Sequence, residues 1–150
     1  MRTTLAIDDD VLLDVNVLIA LVDAAPIQHD AADDWFAAEG RHSWSTCPLT
    51  ENGLLRIMGH ARYPNSPGTP AAIATLLAGL RMLPGHHFWP DSISLLEAER
   101  IDAGRLMHAT QVTDSYLLAL AHANRGQLAT FDRKLVVAAV HGGAKALHLI

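Results

Sequence analysis

The sequence predicts a three-layer α/β/α domain with a central, mostly parallel sheet. Short apolar runs bounded by turn residues alternate along the chain with longer segments whose apolar residues repeat at helical spacing. Parallel strands need crossover connections, and helices in those connections cover both faces of the sheet. The chain has 150 residues, enough for one domain with its own hydrophobic core.

The first elements follow from one long apolar stretch. Residues 11–14 have the pattern of a short buried strand, and residues 16–23 are apolar enough for a buried helix directly after it. Pro26 interrupts the pattern, and a second helix is predicted at 29–39, because its large apolar residues share one side. Gly40 ends that helix.

Proline and threonine mark the beginnings of the next two helices. A strand at 43–46 leads into a helix over 48–62, in which Pro48 suits the first helical position. After a turn-rich stretch, Thr69 caps a helix over 70–83 that carries apolar residues at helical spacing.

The last third of the chain continues the alternation. We expect a helix at 94–103, then a helix capped by Thr113 that runs to residue 124. A strand at 127–131 follows, then a helix capped by Asp132 that extends to about residue 140, and a final strand at 146–150. In open sheets of this kind, ligands bind beyond the carboxyl ends of the strands, where the strand order reverses.

Composition limits the possible functions. The formal charge of −5 argues against a broad basic surface for nucleic acid. Cys47 is the only cysteine, which excludes an internal disulfide and a zinc site built on paired thiolates, and the nine histidines are scattered except for the pair His86 and His87. No apolar run is long enough to span a bilayer and no signal peptide opens the chain, so a cytoplasmic protein is expected.

Four acidic residues stand where a strand ends or a helix begins: Asp14, Glu51, Asp114 and Asp132. Asp14 and Asp132, each taken alone, would be simple helix caps. Glu51 and Asp114 instead head the apolar faces of their helices, where a charge is unexpected. The combination of all four predicts a shared acidic cleft.

Such a cleft favours a divalent cation, because buried carboxylates close together resist ionisation without one. All-oxygen ligands suit Mg²⁺ or Mn²⁺, and a bound ion activates water and neutralises charge on a phosphate. Asn16 and Thr130 are predicted to orient a carboxylate or a water molecule. Arg133, Lys134, Arg125 and Arg56 are the candidate cations for holding a phosphate backbone near the cleft.

Four segments together resemble the PIN domain, and more narrowly the VapC-type toxins of bacterial toxin–antitoxin pairs. They are Leu13-Asp-Val-Asn-Val-Leu-Ile-Ala-Leu21, Glu51 at the opening of a helix, Val112-Thr-Asp-Ser-Tyr-Leu-Leu-Ala-Leu-Ala121 and Leu128-Ala-Thr-Phe-Asp-Arg133. The resemblance covers residues 11–150 and includes 29–36 and Phe88-Trp-Pro-Asp91.

The resemblance implies an endoribonuclease that depends on magnesium or manganese and hydrolyses RNA phosphodiesters. It places the catalytic and metal-binding quartet on Asp14, Glu51, Asp114 and Asp132. It also implies a homodimer and a cognate antitoxin protein as partner. Residues 1–10 depart from the family pattern, because VapC-like chains begin almost at the first strand; this extension resembles the opening strand of an antitoxin.

Two other functions fit parts of the sequence. In a phosphatase or phosphate-accepting domain, Asp14 would be the nucleophile, but Asn16 stands where haloacid-dehalogenase-like phosphatases have a second aspartate. In a non-catalytic interaction module, the acids would only cap helices or bind an ion.

Overall fold

A computed structural model describes residues 10–25, 27–64 and 66–150. The five strands are β1 (Val11–Leu13), β2 (Trp44–Thr46), β3 (His86–Phe88), β4 (Gln127–Thr130) and β5 (Leu147–Leu149). The five α-helices are α1 (Val15–Val22), α2 (His29–Ala38), α3 (Pro48–Met58), α4 (Pro70–Arg81) and α5 (Gln111–Ala123). Short 3-10 helices cover Gly40–His42, Ala103–Arg105 and Gly143–Ala146.

All five strands pair in parallel, in the order β3-β2-β1-β4-β5. The chain builds outward from β1 to β3 on one side and then returns to add β4 and β5 on the other. The order therefore reverses between β1 and β4, and the carboxyl ends of these two strands border the position where such sheets bind ligands. The predicted fold class is confirmed.

Strand β1 contributes to two separate cores because its side chains alternate between the faces of the sheet. Val11 and Leu13 pack with the first four helices, whereas Leu12 packs with α5 and the long turns around it. All three side chains are fully buried. Helices or turns therefore cover both faces, which accounts for a strand that is apolar at every position.

Two predicted helices, at 94–103 and 132–140, are absent from the described chain. Both segments are turns that pair with each other: Ile101 forms an antiparallel bridge with Val140, and the backbone of Asp102 donates to Ala139. Ile101, Leu135 and Val140 of these segments are buried in the core beside α5. The helical pattern of these two segments was misleading, because their backbone N–H and C=O groups bond to each other across the chain instead of within a helix.

Smaller differences have local causes. The sequence pattern did not predict β3, whose three residues are partly or largely exposed at the sheet edge and lack a buried-strand pattern. Helix α3 stops at Met58 rather than residue 62, with Gly59 as its C-cap; the chain lies so close to α4 there that an added Cβ would be 2.8 Å from Pro70. Thr113 lies inside α5, which begins two residues earlier at Gln111.

Among the residues that the structure describes, no helix has both the length and the apolar character needed to cross a bilayer. The predicted extension at residues 1–10 lies outside the described residues except for Asp10. The Asp10 carboxylate accepts hydrogen bonds from Ser43 and Ser45, so this residue is tied to β2 and its approach.

The packing of the 91–108 segment predicts unequal effects for two apolar residues within it. Ile101 is 3% exposed and Leu96 is 88% exposed. Replacing Ile101 by alanine should leave a cavity and lower the free energy of unfolding by about 2 to 4 kcal/mol. Leu96→Ala should change it by less than about 0.5 kcal/mol. Urea denaturation measures both; equal effects would contradict the observed packing.

Candidate active site

Asp14 stands at the reversal of strand order. It follows β1, and its backbone N–H donates to Ala129 of β4, which ties the two carboxyl ends together. One carboxylate oxygen accepts from the backbone of Val15 at 2.7 Å, and the other accepts from the Thr130 hydroxyl at 2.8 Å. The side chain thus caps α1, and at 8% exposure it is nearly buried.

Burial raises the pKa of Asp14, the hydrogen bonds from Thr130 and Val15 oppose this shift, and the charge of Asp132 adds to it. Thr130 also connects the predicted supporting residues. Its hydroxyl oxygen accepts from the Asn16 amide at 3.1 Å and from the backbone N–H of Asp132 at 3.1 Å. One hydroxyl therefore fixes the relative positions of Asp14, Asn16 and Asp132.

Asp114 completes a group of three acids. Because α5 runs antiparallel to β4, its first turn lies at the carboxyl edge of the sheet, and this turn carries Asp114. Burial, followed by the charges of Asp14 and Asp132, raises the pKa of Asp114 to about 6. The structure therefore brings Asp14, Asp114 and Asp132 into one electrostatically coupled cluster, which we call the acidic triad.

Glu51 lies in the first turn of α3, beyond the carboxyl end of β2. Its carboxylate accepts a hydrogen bond from Thr46 at 2.7 Å and pairs with Arg81 at 3.1 Å. No interaction between Glu51 and the acidic triad is found among the described residues. The predicted fourth acid is thus beside the neighbouring strand, and a cation already balances its charge.

The acidic triad fits a divalent cation by its chemistry. In the described parts of the chain, no lysine, arginine or histidine forms an ion pair with any of the three acids. In the same described residues, no three acidic, histidine or cysteine side chains are placed so that they could hold a metal ion together. Mg²⁺ suits such a site, since it uses one or two carboxylates and keeps several waters.

The four predicted cations occupy different places. Arg133 and Lys134 are exposed directly after Asp132, and the backbone of Lys134 donates to the Asp132 carboxylate at 2.9 Å. Arg125 is not near the cleft: it precedes β4 at the amino edge of the sheet, at the end of α5 opposite Asp114. Arg56 lies in the last turn of α3, away from the first turn that carries Glu51.

Sequence reasoning missed Arg81, Thr46 and His86. The Thr46 hydroxyl donates to Glu51 and also lies 2.8 Å from Nε2 of His86 on β3. Burial and then the Arg81 charge lower the pKa of His86. Thr46 ends a buried strand as Thr130 does, which is a usable signal. No sequence signal points to Arg81, since it is 30 positions from Glu51.

Comparison with known proteins gives one family. A sequence profile described as "PIN domain" matches residues 11–140. Ribonuclease VapC44 of Mycobacterium tuberculosis (strain CDC 1551 / Oshkosh) is 42% identical over 134 residues, which cover 89% of this chain and 94% of that protein.

Solved structures have the same fold at lower identity. The crystal structure of Mycobacterium tuberculosis VapC20, described as a Sarcin-Ricin loop cleaving toxin, superposes with a TM-score of 0.63 at 15% identity, covering 87% of this chain and 96% of that one. VapBC2 from Rickettsia felis, bound to a DNA fragment from its promoter, gives a TM-score of 0.50 at 10% identity, with 83% and 89% covered.

The raised pKa of Asp114 predicts a pH-dependent stability. The folded chain holds this proton up to about pH 6, whereas an unfolded aspartate releases it near 3.9. The resulting stabilisation is complete below about pH 4 and is lost as the pH rises through 6. Asp114→Asn avoids this loss and should be more stable than wild type at pH 7.5, by about 1 kcal/mol after discounting for solvent screening.

Urea denaturation in a chelating buffer at several pH values measures this difference, which should shrink towards zero at pH 4. The matched control is Asp102→Asn, which removes an acid that pairs with Arg105 on the surface. If Asp114→Asn is more stable than wild type by the same free energy of unfolding at every pH, the charge of Asp114 in the triad is not the cause of the added stability.

Proposed function

The chain belongs to the PIN-domain family, and we propose on this basis that it is a metal-dependent endoribonuclease that acts as the toxin of a toxin–antitoxin pair. The observation that carries the proposal is the acidic triad of Asp14, Asp114 and Asp132. It stands at the reversal of strand order, it is electrostatically coupled, and it has no cationic partner among the described residues. The relatives named as ribonucleases support RNA as the substrate.

We assign each acid a role in phosphodiester hydrolysis. Asp14 is held rigidly by Val15 and Thr130. Asp14, Asp132 and Asp114 would hold Mg²⁺ or Mn²⁺ with one or two of their carboxylates directly and with the rest through coordinated waters. The ion, when bound, lowers the pKa of a coordinated water and neutralises charge on the phosphate. Glu51, on the neighbouring strand, would complete the acidic lining of the cleft.

The remaining residues position these groups. Thr130 donates to Asp14 and accepts from Asn16, so the Asp14 carboxylate cannot rotate away from the cleft. The Asn16 carbonyl oxygen remains available to a water molecule or a ribose hydroxyl. Arg133 and Lys134 are exposed next to Asp132 and can contact phosphates of the RNA backbone.

The proposed toxin would act in the cytoplasm, where its RNA substrates are. An antitoxin protein as partner is supported by one structural neighbour, the VapBC2 assembly of Rickettsia felis. A homodimer stays a prediction from the family resemblance. The N-terminal extension at residues 1–10 has no assigned role in this proposal.

A phosphatase that uses Asp14 as nucleophile is less well supported. Both carboxylate oxygens of Asp14 already accept hydrogen bonds, and the side chain is nearly buried. A nucleophile needs an accessible oxygen aimed at phosphorus. An ion at the mouth of the cleft can be bound through a remaining lone pair of the carboxylate or through a coordinated water, so it does not require an in-line approach to phosphorus.

Charge removal in the triad should abolish RNA cleavage without unfolding the protein. Asparagine caps helices about as well as aspartate, so Asp14→Asn keeps the cap of α1 while it removes the charge and the oxygen that accepts from Thr130. We expect Asp14→Asn and Asp114→Asn each to lower the cleavage rate at least about a hundredfold. The measurement is cleavage of total RNA with Mg²⁺ or Mn²⁺, with mapping of the new ends.

Asp102→Asn is the matched control, because it removes the same charge from a surface ion pair. It should cut RNA like wild type. Circular dichroism establishes that all three variants are folded. Undiminished cleavage by Asp14→Asn and Asp114→Asn would refute the proposed site.

Divalent ions should stabilise the wild-type protein through the triad. A ligand at 100 times its dissociation constant adds about 2.7 kcal/mol to the free energy of unfolding. Thermal unfolding with Mg²⁺ or Mn²⁺, at matched ionic strength, should therefore show a higher Tm for wild type and a smaller rise for Asp14→Asn. An equal rise in both proteins would place ion binding elsewhere.

A further inference from the structure

We propose that Arg81, held by Glu51 and by the ring of Phe88, binds a backbone phosphate of the substrate RNA beyond the carboxyl end of β2. This inference rests on the proposed ribonuclease function and adds a substrate-binding residue to it. It also gives a role to the edge strand β3, which the catalytic proposal leaves unused.

The position of Arg81 is set from two sides. Nη1 of Arg81 lies 3.1 Å from one Glu51 oxygen and 3.3 Å from the other. The guanidinium carbon stands 5.2 Å from the centre of the Phe88 ring, a cation–π distance. A planar guanidinium with one edge on a carboxylate and one face on an aromatic ring has little freedom left.

The Glu51 carboxylate that holds Arg81 is itself positioned by residues of the sheet. The Thr46 hydroxyl at the end of β2 donates to Glu51. That hydroxyl has one proton to give, so His86, 2.8 Å away, contacts it as the donor through Nε2–H. Two strands, β2 and β3, therefore orient the carboxylate that orients Arg81.

Arg81 remains available to a ligand. Its side chain is 40% exposed, and the described chain supplies no other hydrogen-bond acceptor for it than Glu51. Arginine has five N–H donors in a fork that matches phosphate oxygens. The pair with Glu51 occupies part of that fork and leaves the rest for a second anion.

RNA is the ligand that fits these surroundings best. Phe88 is 44% exposed beside the guanidinium, and aromatic rings next to arginine are typical of surfaces that bind single-stranded RNA. Arg81 is also connected to the cleft, since Glu51 follows β2, the strand that pairs with β1 and hence lies beside Asp14. In a chain with a net charge of −5, local cations near the acids must offset repulsion of RNA.

The test compares Arg81→Gln with Arg100→Gln in the full chain. Arg100 is the matched control because it is similarly exposed, at 36%, and pairs with Glu97 at 2.9 Å. A fluorescein-labelled oligouridine of about 12 nucleotides, within the span of a single-strand binding site, is titrated in EDTA at several salt concentrations, with anisotropy as readout. Loss of one phosphate contact should weaken binding roughly threefold to tenfold at about 0.1 M salt and reduce the slope of log K against log salt by about 0.7.

Cleavage with Mg²⁺ gives an independent readout. Arg81→Gln should raise KM and leave kcat within about twofold, because the contact is made equally in the ground and transition states. Arg81→Lys keeps the charge and should keep the salt slope while losing part of the affinity. Arg100→Gln should match wild type in every measurement.

Failure of this inference differs from failure of the proposed function. If wild type cuts RNA, and Arg81→Gln matches it in KM and salt slope while remaining folded, Arg81 does not bind substrate and the nuclease assignment stands. If wild type neither binds nor cuts RNA with either metal ion, the ribonuclease proposal is wrong, and the role of Arg81 is overturned with it.

Discussion

The structure of the site depends on one nearly buried carboxylate at the reversal of strand order. Asp14 accepts hydrogen bonds from Val15, which begins α1, and from Thr130, which ends β4. Through these contacts a single side chain connects a helix cap, two adjacent strands and the entrance of the cleft. The cap and the proposed ligand are the same group, so a simple structural role and a catalytic one do not exclude each other.

The clustering of the acids has a cost that the rest of the domain must offset. Burial raises the pKa of Asp14 and of Asp114; the charge of Asp132 adds to the first shift, and the charges of Asp14 and Asp132 add to the second. The two apolar cores on either face of the sheet supply the stability that tolerates this repulsion. A cation would remove the repulsion, so ion binding and folding stability are thermodynamically linked.

The carboxyl edge of the sheet differs in charge balance between the β1–β4 side and the β2 side. Beyond β1 and β4 the acids have no cationic partner in the described chain, whereas beyond β2 Glu51 is balanced by Arg81. Carboxylates without a cationic partner suit a divalent cation, whereas a guanidinium held in place suits a phosphate. The proposed chemistry and the proposed substrate contact therefore use neighbouring strands.

By itself, the sequence determined the fold class, most strand and helix positions and the candidate acids, because apolar periodicity and capping residues are local signals. Tertiary structure decided the rest. Segments 94–103 and 132–140 are not helices, since Ile101 and Val140 pair across the chain. Tertiary structure also decided that Arg81, and not Arg125, lies beside an acid. Contacts between residues far apart in the sequence depend on how all the elements pack together, and periodicity does not reveal them.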